Sequence, residues 1–118
     1  MSNLNLPNMS RENLLAILGT RYDKKIAHNT VAEKMPGGVR VRYHGNNIAE
    51  LTETRVWLSS AGWDTVTTST RLDKIATDNG LPVRLAIRQG DMVTLDPDTL
   101  KVTGDFSSAS WFDGNRQH

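Results

Sequence analysis

Four arginines alternate with apolar residues in two short segments, and this pattern is the clearest chemical signal in the sequence. Arg40 and Arg42 alternate with two valines and a tyrosine. In the second segment, Arg84 and Arg88 occupy even-numbered positions, and the odd-numbered positions between 83 and 87 hold valine, leucine and isoleucine. Because successive side chains of a strand point to opposite faces, each segment predicts a strand with one apolar and one basic face. Forked guanidinium donors bind phosphates, so the basic face favours nucleic acid as the ligand.

Two further residues extend this candidate nucleic-acid site. Trp63 offers a ring on which an unstacked base can stack. Arg71 follows the hydroxyl-rich run Thr65-Val-Thr-Thr-Ser-Thr70, which precedes a predicted helix start where free amide donors attract anions. The alternative interpretation is a solvated sheet face and a run of solvent-facing threonines that leads into a helix cap. The predicted binding residues are Arg40, Arg42, Arg84, Arg88, Trp63 and Arg71.

Residues that perform catalysis or hold metals lack the spacing that such chemistry needs. The three histidines, His28, His44 and His118, form no pair at metal-ligand spacing, and the chain contains no Gly-x-Ser-x-Gly elbow and no Walker loop. It also has no cysteine, which excludes disulfides, thiol nucleophiles and cysteine-ligated metals. We therefore expect no catalytic residue, no metal site and no cofactor. An enzyme that uses His44 with a nearby carboxylate is the weaker alternative.

Length and composition indicate one small globular domain. The 118 residues are 37% hydrophobic, and 14 basic against 13 acidic residues leave a net charge of +1, which by itself names no partner. No apolar run approaches the roughly 20 residues of a membrane span, and the polar amino terminus does not resemble a signal peptide. We expect a cytosolic protein with a flexible arm over residues 1–9 and a single β-rich domain over residues 10–118.

The elements that must position the arginines are mostly short strands. Turn signals separate them every eight to twelve residues or so, and no long crossover helix is present to join parallel strands. Ser10 and Gly19 bound one predicted helix, and a Thr70-Arg-Leu-Asp73 capping box starts the second, which Asn79-Gly80 ends. Residues 63–67 are predicted as a strand. The fold class is therefore mainly β (α+β): a small antiparallel sheet, sandwich or partly open barrel with two short helices.

Three segments, in this order, resemble a family of small proteins of tailed bacteriophages. They are Lys25-Ile-Ala-His-Asn-Thr30, Val39-Arg-Val-Arg-Tyr-His44, and Ala61-Gly-Trp-Asp-Thr-Val-Thr-Thr68 with Arg71 behind it. The family pattern has Gly-Asn in place of Ala27-His28 and Ser-Thr in place of Gly45-Asn46. The resemblance covers roughly residues 24–95. It implies a phage origin and no particular activity.

These observations predict a non-enzymatic phage accessory protein that acts by binding in the host cytoplasm. Nucleic acid is the preferred ligand, through the arginine-bearing sheet face. The alternative is a phage inhibitor that binds a host protein, such as a defence factor or a polymerase. We expect no membrane partner, and the sequence leaves assembly of several copies of the chain open.

Overall fold

Two antiparallel sheets and two helices make up the part of the chain that the computed structural model describes, which is residues 5–106, 109–113 and 116–117. The elements in chain order are α1 (Arg11–Leu18), β1 (Asp23–Ala27), β2 (Thr30–Met35), β3 (Gly38–Tyr43), β4 (Asn46–Thr52), β5 (Val56–Ser59), α2 (Val66–Asp78), β6 (Arg84–Arg88), β7 (Asp91–Leu95), β8 (Val102–Asp105), β9 (Ala109–Asp113) and β10 (Arg116–Gln117).

The larger sheet has seven strands in the order β1-β2-β3-β4-β5-β9-β10, and the smaller one has the order β6-β7-β8. Tight turns join β1 through β4, so neighbours in sequence are neighbours in the sheet. All the strand pairs are antiparallel. The predicted antiparallel, mainly β fold with two helices is therefore confirmed, and both sheets are open, not closed into a barrel.

The core lies on the apolar face of the strands, as the alternation predicts. Val39 and Val41 of β3 are fully buried, and Leu85 of β6 is nearly so. Both helices pack onto the strands, α1 against β2 and β3, and α2 against β4 and β6. Burying these side chains is the main favourable term in folding. Other large members of the core are Leu14, Leu18, Ile48, Leu51, Leu58, Leu72, Ile75 and Met92.

The first helix forms where the sequence predicts it. The Ser10 side chain caps α1 by accepting a hydrogen bond from the Asn13 N–H, and Gly19 ends the helix with a positive φ of 56°. The arm predicted over residues 1–9 stays a prediction for residues 1–4, which lie outside the described residues. Met9, by contrast, is fully buried. Its N–H donates to Asp78 at 2.8 Å, and its carbonyl accepts from Asn79 at 3.0 Å.

The prediction for residues 63–73 was wrong in one respect. Residues 63–67 do not form a strand, and α2 begins at Val66, well before the predicted cap at Thr70. Thr65 is the N-cap: its backbone is extended, and its Oγ1 accepts a hydrogen bond from the Thr68 N–H at 3.3 Å. Valine and threonine favour strands, but this local cap and the packing of the helix override that preference.

Two other segments, residues 25–34 and the carboxyl-terminal stretch, have a secondary structure that their sequence pattern does not indicate. Residues 25–34 form a hairpin of β1 and β2, because His28 and Asn29 make a turn in which Asn29 has a positive φ of 51°. The polar carboxyl-terminal stretch contributes β9 and β10 to the larger sheet, where β9 pairs with β5. The sequence pattern does not predict these two strands.

Gly38 provides a direct test of the register between β3 and β4. A Cβ added at this position would clash with the backbone oxygen of Leu51, which cannot move without breaking the ladder. We expect Gly38→Ala to lower the free energy of unfolding by about 1–3 kcal/mol or more, measured by urea denaturation. Gly104→Ala is the matched control, since its nearest neighbour would be Thr94 Oγ1 at an ordinary 3.8 Å. Equal stability of the two variants would contradict the register.

Candidate functional site

Glutamates on the neighbouring strands neutralise the arginine face of the larger sheet. Arg40 Nη1 lies 2.9 Å from Glu33 on β2, and Arg40 Nε lies 3.1 Å from Glu50 on β4. Arg42 Nη1 lies 3.2 Å from the second oxygen of Glu33. The antiparallel register causes this arrangement, because Glu33 and Glu50 sit directly opposite Arg40 on its two neighbours. The result is a network of two cations and two anions without net charge.

Glu33 is the centre of this network. Its side chain is only 9% exposed. Burial by itself raises the pKa of Glu33, but the hydrogen bonds from Arg40 and Arg42 outweigh it and hold the pKa below its usual value. The hydrogen bond to Glu33 likewise raises the pKa of Arg40. The carboxylate is therefore charged at neutral pH and stabilises the contact between β2 and β3.

Replacing Glu33 by glutamine tests this network through pH. Because the pKa of Glu33 is lowered in the folded state, its contribution to stability is present above the ordinary glutamate pKa of about 4.3 and is lost as the pH falls through the folded value. We expect Glu33→Gln to lower the free energy of unfolding by about 1–2 kcal/mol at pH 7.

The difference between wild type and Glu33→Gln should shrink towards zero in acid, as followed by urea denaturation at several pH values. Glu12→Gln is the control, because Glu12 pairs with Arg11 while its own side chain is 76% exposed. An exposed pair of this kind contributes under about 1 kcal/mol. A Glu33→Gln penalty that is the same at acidic and neutral pH would contradict the assigned ion pairs.

The arginines of β6 lie in the smaller sheet and make different contacts. Arg84 donates two hydrogen bonds of 2.7 Å to the two carboxylate oxygens of Asp73, and the Leu85 N–H donates to the same group at 2.9 Å. This bidentate pair fastens α2 to β6 and raises the pKa of Arg84. Arg88 is exposed, and its Nη1 donates to the Ile87 carbonyl. The four predicted arginines therefore do not form one continuous basic face.

Arg71 lies inside the protein and links three elements. Its side chain is only 1% exposed. Nε donates to Thr30 Oγ1 at 2.8 Å, Nη1 to the Thr67 carbonyl at 2.9 Å and Nη2 to the His28 carbonyl at 2.9 Å. The guanidinium carbon lies 3.8 Å from the centroid of the Tyr43 ring, a cation–π contact. A ligand on the surface cannot reach this group directly.

Trp63 is the predicted site residue that the structure leaves accessible, and it borders a cleft. The Trp63 side chain is 60% exposed. The cleft has a volume of about 430 Å³ and lies between the end of β3, the start of β4 and the start of α2. None of the described residues that line it is Asp, Glu, Lys or Arg. The side chains that line it are mainly aromatic or carry hydroxyls: Tyr43, His44, Ser60, Trp63, Thr65, Thr67 and Thr68.

Strained turns and a hydroxyl network shape this cleft. His44 and Ala61 both have a positive φ, near 51° and 54°, which few residues other than glycine and asparagine adopt. The His44 N–H donates to the Asn29 carbonyl at 2.9 Å, which holds the two turns together. Tyr43 Oη donates to Thr67 Oγ1 at 3.1 Å and so joins β3 to the first turn of α2. The walls are therefore held by hydrogen bonds between different elements.

The two described histidines make local contacts with their neighbours in the chain. Within the described ranges, no group of three or more histidine and acidic side chains converges as a metal site would require. His28 Nε2 lies 3.0 Å from the Asn29 side chain, and the His44 ring is stacked at a tilt on Tyr43, 4.3 Å between centroids. Neither imidazole is paired with a carboxylate, which is the partner that orients a catalytic base.

Neither of the described helices could span a membrane.

Comparison with known proteins identifies the family. A family model described as Kyanoviridae Gp96 protein matches residues 6–117. The chain belongs to this family of bacteriophage proteins. The phage resemblance is thereby confirmed, whereas the individual motifs that suggested it stay predictions. No curated protein and no solved structure matches the chain.

Sequence reasoning found Trp63 but missed the cleft around it. Thr65, Thr67 and Thr68 belong to the hydroxyl-rich run over residues 65–70, but the predicted strand over residues 63–67 gave no reason to place these threonines at the start of a helix. A Thr65-x-x-Thr68 cap, had it been preferred, would have placed them there. Ser60 lies outside that run, and the alternating strand pattern before His44 does not predict the positive φ of this residue.

Proposed function

We propose that the protein is a non-enzymatic phage accessory protein that binds a host protein in the host cytoplasm. The observation that carries this proposal is the 60% exposed Trp63 beside an uncharged cleft of about 430 Å³. Tryptophan is among the residues most enriched at the energetic centre of protein interfaces. A partner side chain seated in the cleft would bury the indole that is now in contact with water.

The ion pairs of the sheet face also support a protein partner over nucleic acid. Affinity for nucleic acid comes largely from phosphates neutralised by lysine and arginine. Arg40 and Arg42 already contact Glu33 and Glu50, and Arg84 contacts Asp73, so their charges are compensated. A phosphate would have to compete with carboxylates that the fold places directly opposite these groups.

Nucleic acid remains the second candidate ligand, and one observation favours it. A single-stranded base can stack on the exposed Trp63 ring whatever its identity, and none of the described residues that line the neighbouring cleft is a carboxylate that would repel a phosphate. Arg88, which is exposed, is the predicted arginine best able to contribute to such binding. The two ligand classes differ in their response to nuclease and to salt, which makes them separable.

A pull-down from host lysate tests the proposal through Trp63. We expect the tagged full chain to retain one host protein after nuclease treatment, and Trp63→Ala to weaken that retention by about 2 kcal/mol of binding free energy, a loss of roughly thirtyfold. Tyr22→Ala is the matched control, because Tyr22 is 63% exposed and does not line the cleft. It should retain the partner as well as wild type does.

Two results would overturn the assignment. Equal retention by Trp63→Ala and wild type would show that the cleft is not part of the interface. The second candidate would be established instead if nuclease treatment abolishes the retention and if the chain binds a fluorescent single-stranded oligonucleotide with an affinity that falls steeply with salt. Thermal unfolding of Trp63→Ala, expected to resemble wild type because the residue is exposed, shows whether lost binding reflects lost folding.

A further inference from the structure

Arg71 carries a buried positive charge that no anion balances within the described part of the chain. Its three hydrogen-bond acceptors, the Thr30 hydroxyl and the carbonyls of His28 and Thr67, are all neutral. Burial lowers the pKa of Arg71, although the residue stays protonated, as arginine does in proteins. A buried cation without a carboxylate partner is costly, and proteins usually pair one.

This uncompensated charge lies directly behind the cleft. Tyr43, whose ring faces the guanidinium at 3.8 Å, and Thr67, whose carbonyl accepts from Nη1, both line the cleft on their other side. Because a charge is poorly screened across a low-dielectric layer one side chain thick, its potential reaches the cleft. Ser60 lines the same space, and its hydroxyl can donate to an acceptor placed there. The Thr67 hydroxyl already donates to Thr65 Oγ1, because Thr65 gives its own proton to Thr68.

The part of the chain that the structure describes places no acidic side chain on the walls of the cleft. The nearest carboxylate in the sequence belongs to Asp64, between the lining residues Trp63 and Thr65. Asp64 does not line the cleft, and its Oδ2 accepts from the Met92 N–H at 3.4 Å. The cleft therefore combines an apolar surface with a net positive potential, and its electrostatic complement is a group that is both apolar and anionic.

We propose that the cleft binds an acidic segment of the partner protein, with an aromatic or aliphatic side chain against Trp63 and a carboxylate at the end formed by Tyr43 and Thr67. The inference rests on the proposed function and names the chemistry of the partner. A phosphodiester strand fits less well, because successive phosphates need free cations and the lining residues within the described ranges include no lysine or arginine.

Matched small probes test the charge requirement on the isotope-labelled full chain by nuclear magnetic resonance. N-acetylphenylalanine carries the ring and the carboxylate, its amide carries the ring alone, and phenyl phosphate carries the ring and a phosphate. We expect the carboxylate probe to shift the Trp63 indole and the Thr67 and Thr68 amide signals, and to bind about tenfold more tightly than the neutral amide. Phenyl phosphate should bind no more tightly than the carboxylate.

Two variants locate the source of the preference. Arg71→Gln should remove the preference for the carboxylate over the amide. If that variant fails to fold, Asp64→Asn decides instead: it removes a negative charge beside the cleft and should tighten the carboxylate probe by about twofold while leaving the amide probe unchanged. An Asp64→Asn variant that binds both probes as wild type does would contradict the electrostatic argument.

Each possible result of the probe titration either supports or overturns the inference that the cleft binds an anionic group. Equal binding of acid and amide at the cleft overturns the anionic requirement and leaves the host-protein proposal intact, since that proposal depends on the Trp63 pull-down alone. Binding of neither probe, or binding away from Trp63 and Thr67, overturns the inference as well. Markedly tighter binding of phenyl phosphate would assign the cleft to a phosphate-bearing ligand instead.

Discussion

The guanidinium of Arg71 is the contact on which the cleft depends. It joins the turn after β1, the first residue of β2 and the first turn of α2, and it stacks on the last residue of β3. Its partners Thr30 and His28 lie 41 and 43 residues away along the chain, so this single side chain closes large loops of sequence. The Tyr43–Thr67 hydrogen bond is a second polar link between the start of α2 and the end of β3, and it adds to the packing of α2 against β4.

The distribution of charge follows from strand register more than from composition. The net charge of +1 does not show that arginines in two parts of the structure differ in how their charge is compensated. On the polar face of the larger sheet, Glu33 and Glu50 oppose Arg40 across the ladder and cancel it. At the end of that sheet, the buried Arg71 has no anionic partner among the described residues, and the described residues that line the cleft carry no Asp, Glu, Lys or Arg. We propose that recognition takes place at the cleft, whereas Arg40 and Arg42 form ion pairs within the sheet.

Local sequence patterns predicted strands and helix ends correctly where the alternation or the capping residues were clear. Alternation placed Val39 and Val41 in the core and Arg40 on the other face, and Ser10 and Gly19 bounded α1 as capping chemistry requires. The start of α2 was missed, because β-branched residues after Thr65 favour a strand in isolation and only the cap and the tertiary packing make them helical. The packing acts through space and leaves no periodic trace in the sequence, whereas the Thr65-x-x-Thr68 cap is local and can be found there.

The candidate site was predicted only in part for the same reason. Trp63 could be chosen from its residue type, and the structure leaves it exposed. Arg71 could not be distinguished from a surface arginine, because its burial results from partners more than forty residues away. The ion pairs of Arg40 and Arg42 depend on which residues β2 and β4 place opposite them, and that register follows from the turns rather than from the arginines themselves.

Photo-crosslinking in infected cells tests the central claim, that the cleft built on Arg71 is where the protein meets a host protein. A benzophenone amino acid at Trp63 would report contacts at the cleft, and the same group at Tyr22 would report the surrounding surface. We expect a crosslink from position 63 to a single host protein and none to that protein from position 22. Crosslinks from position 63 to nucleic acid, or the same products from both positions, would contradict it.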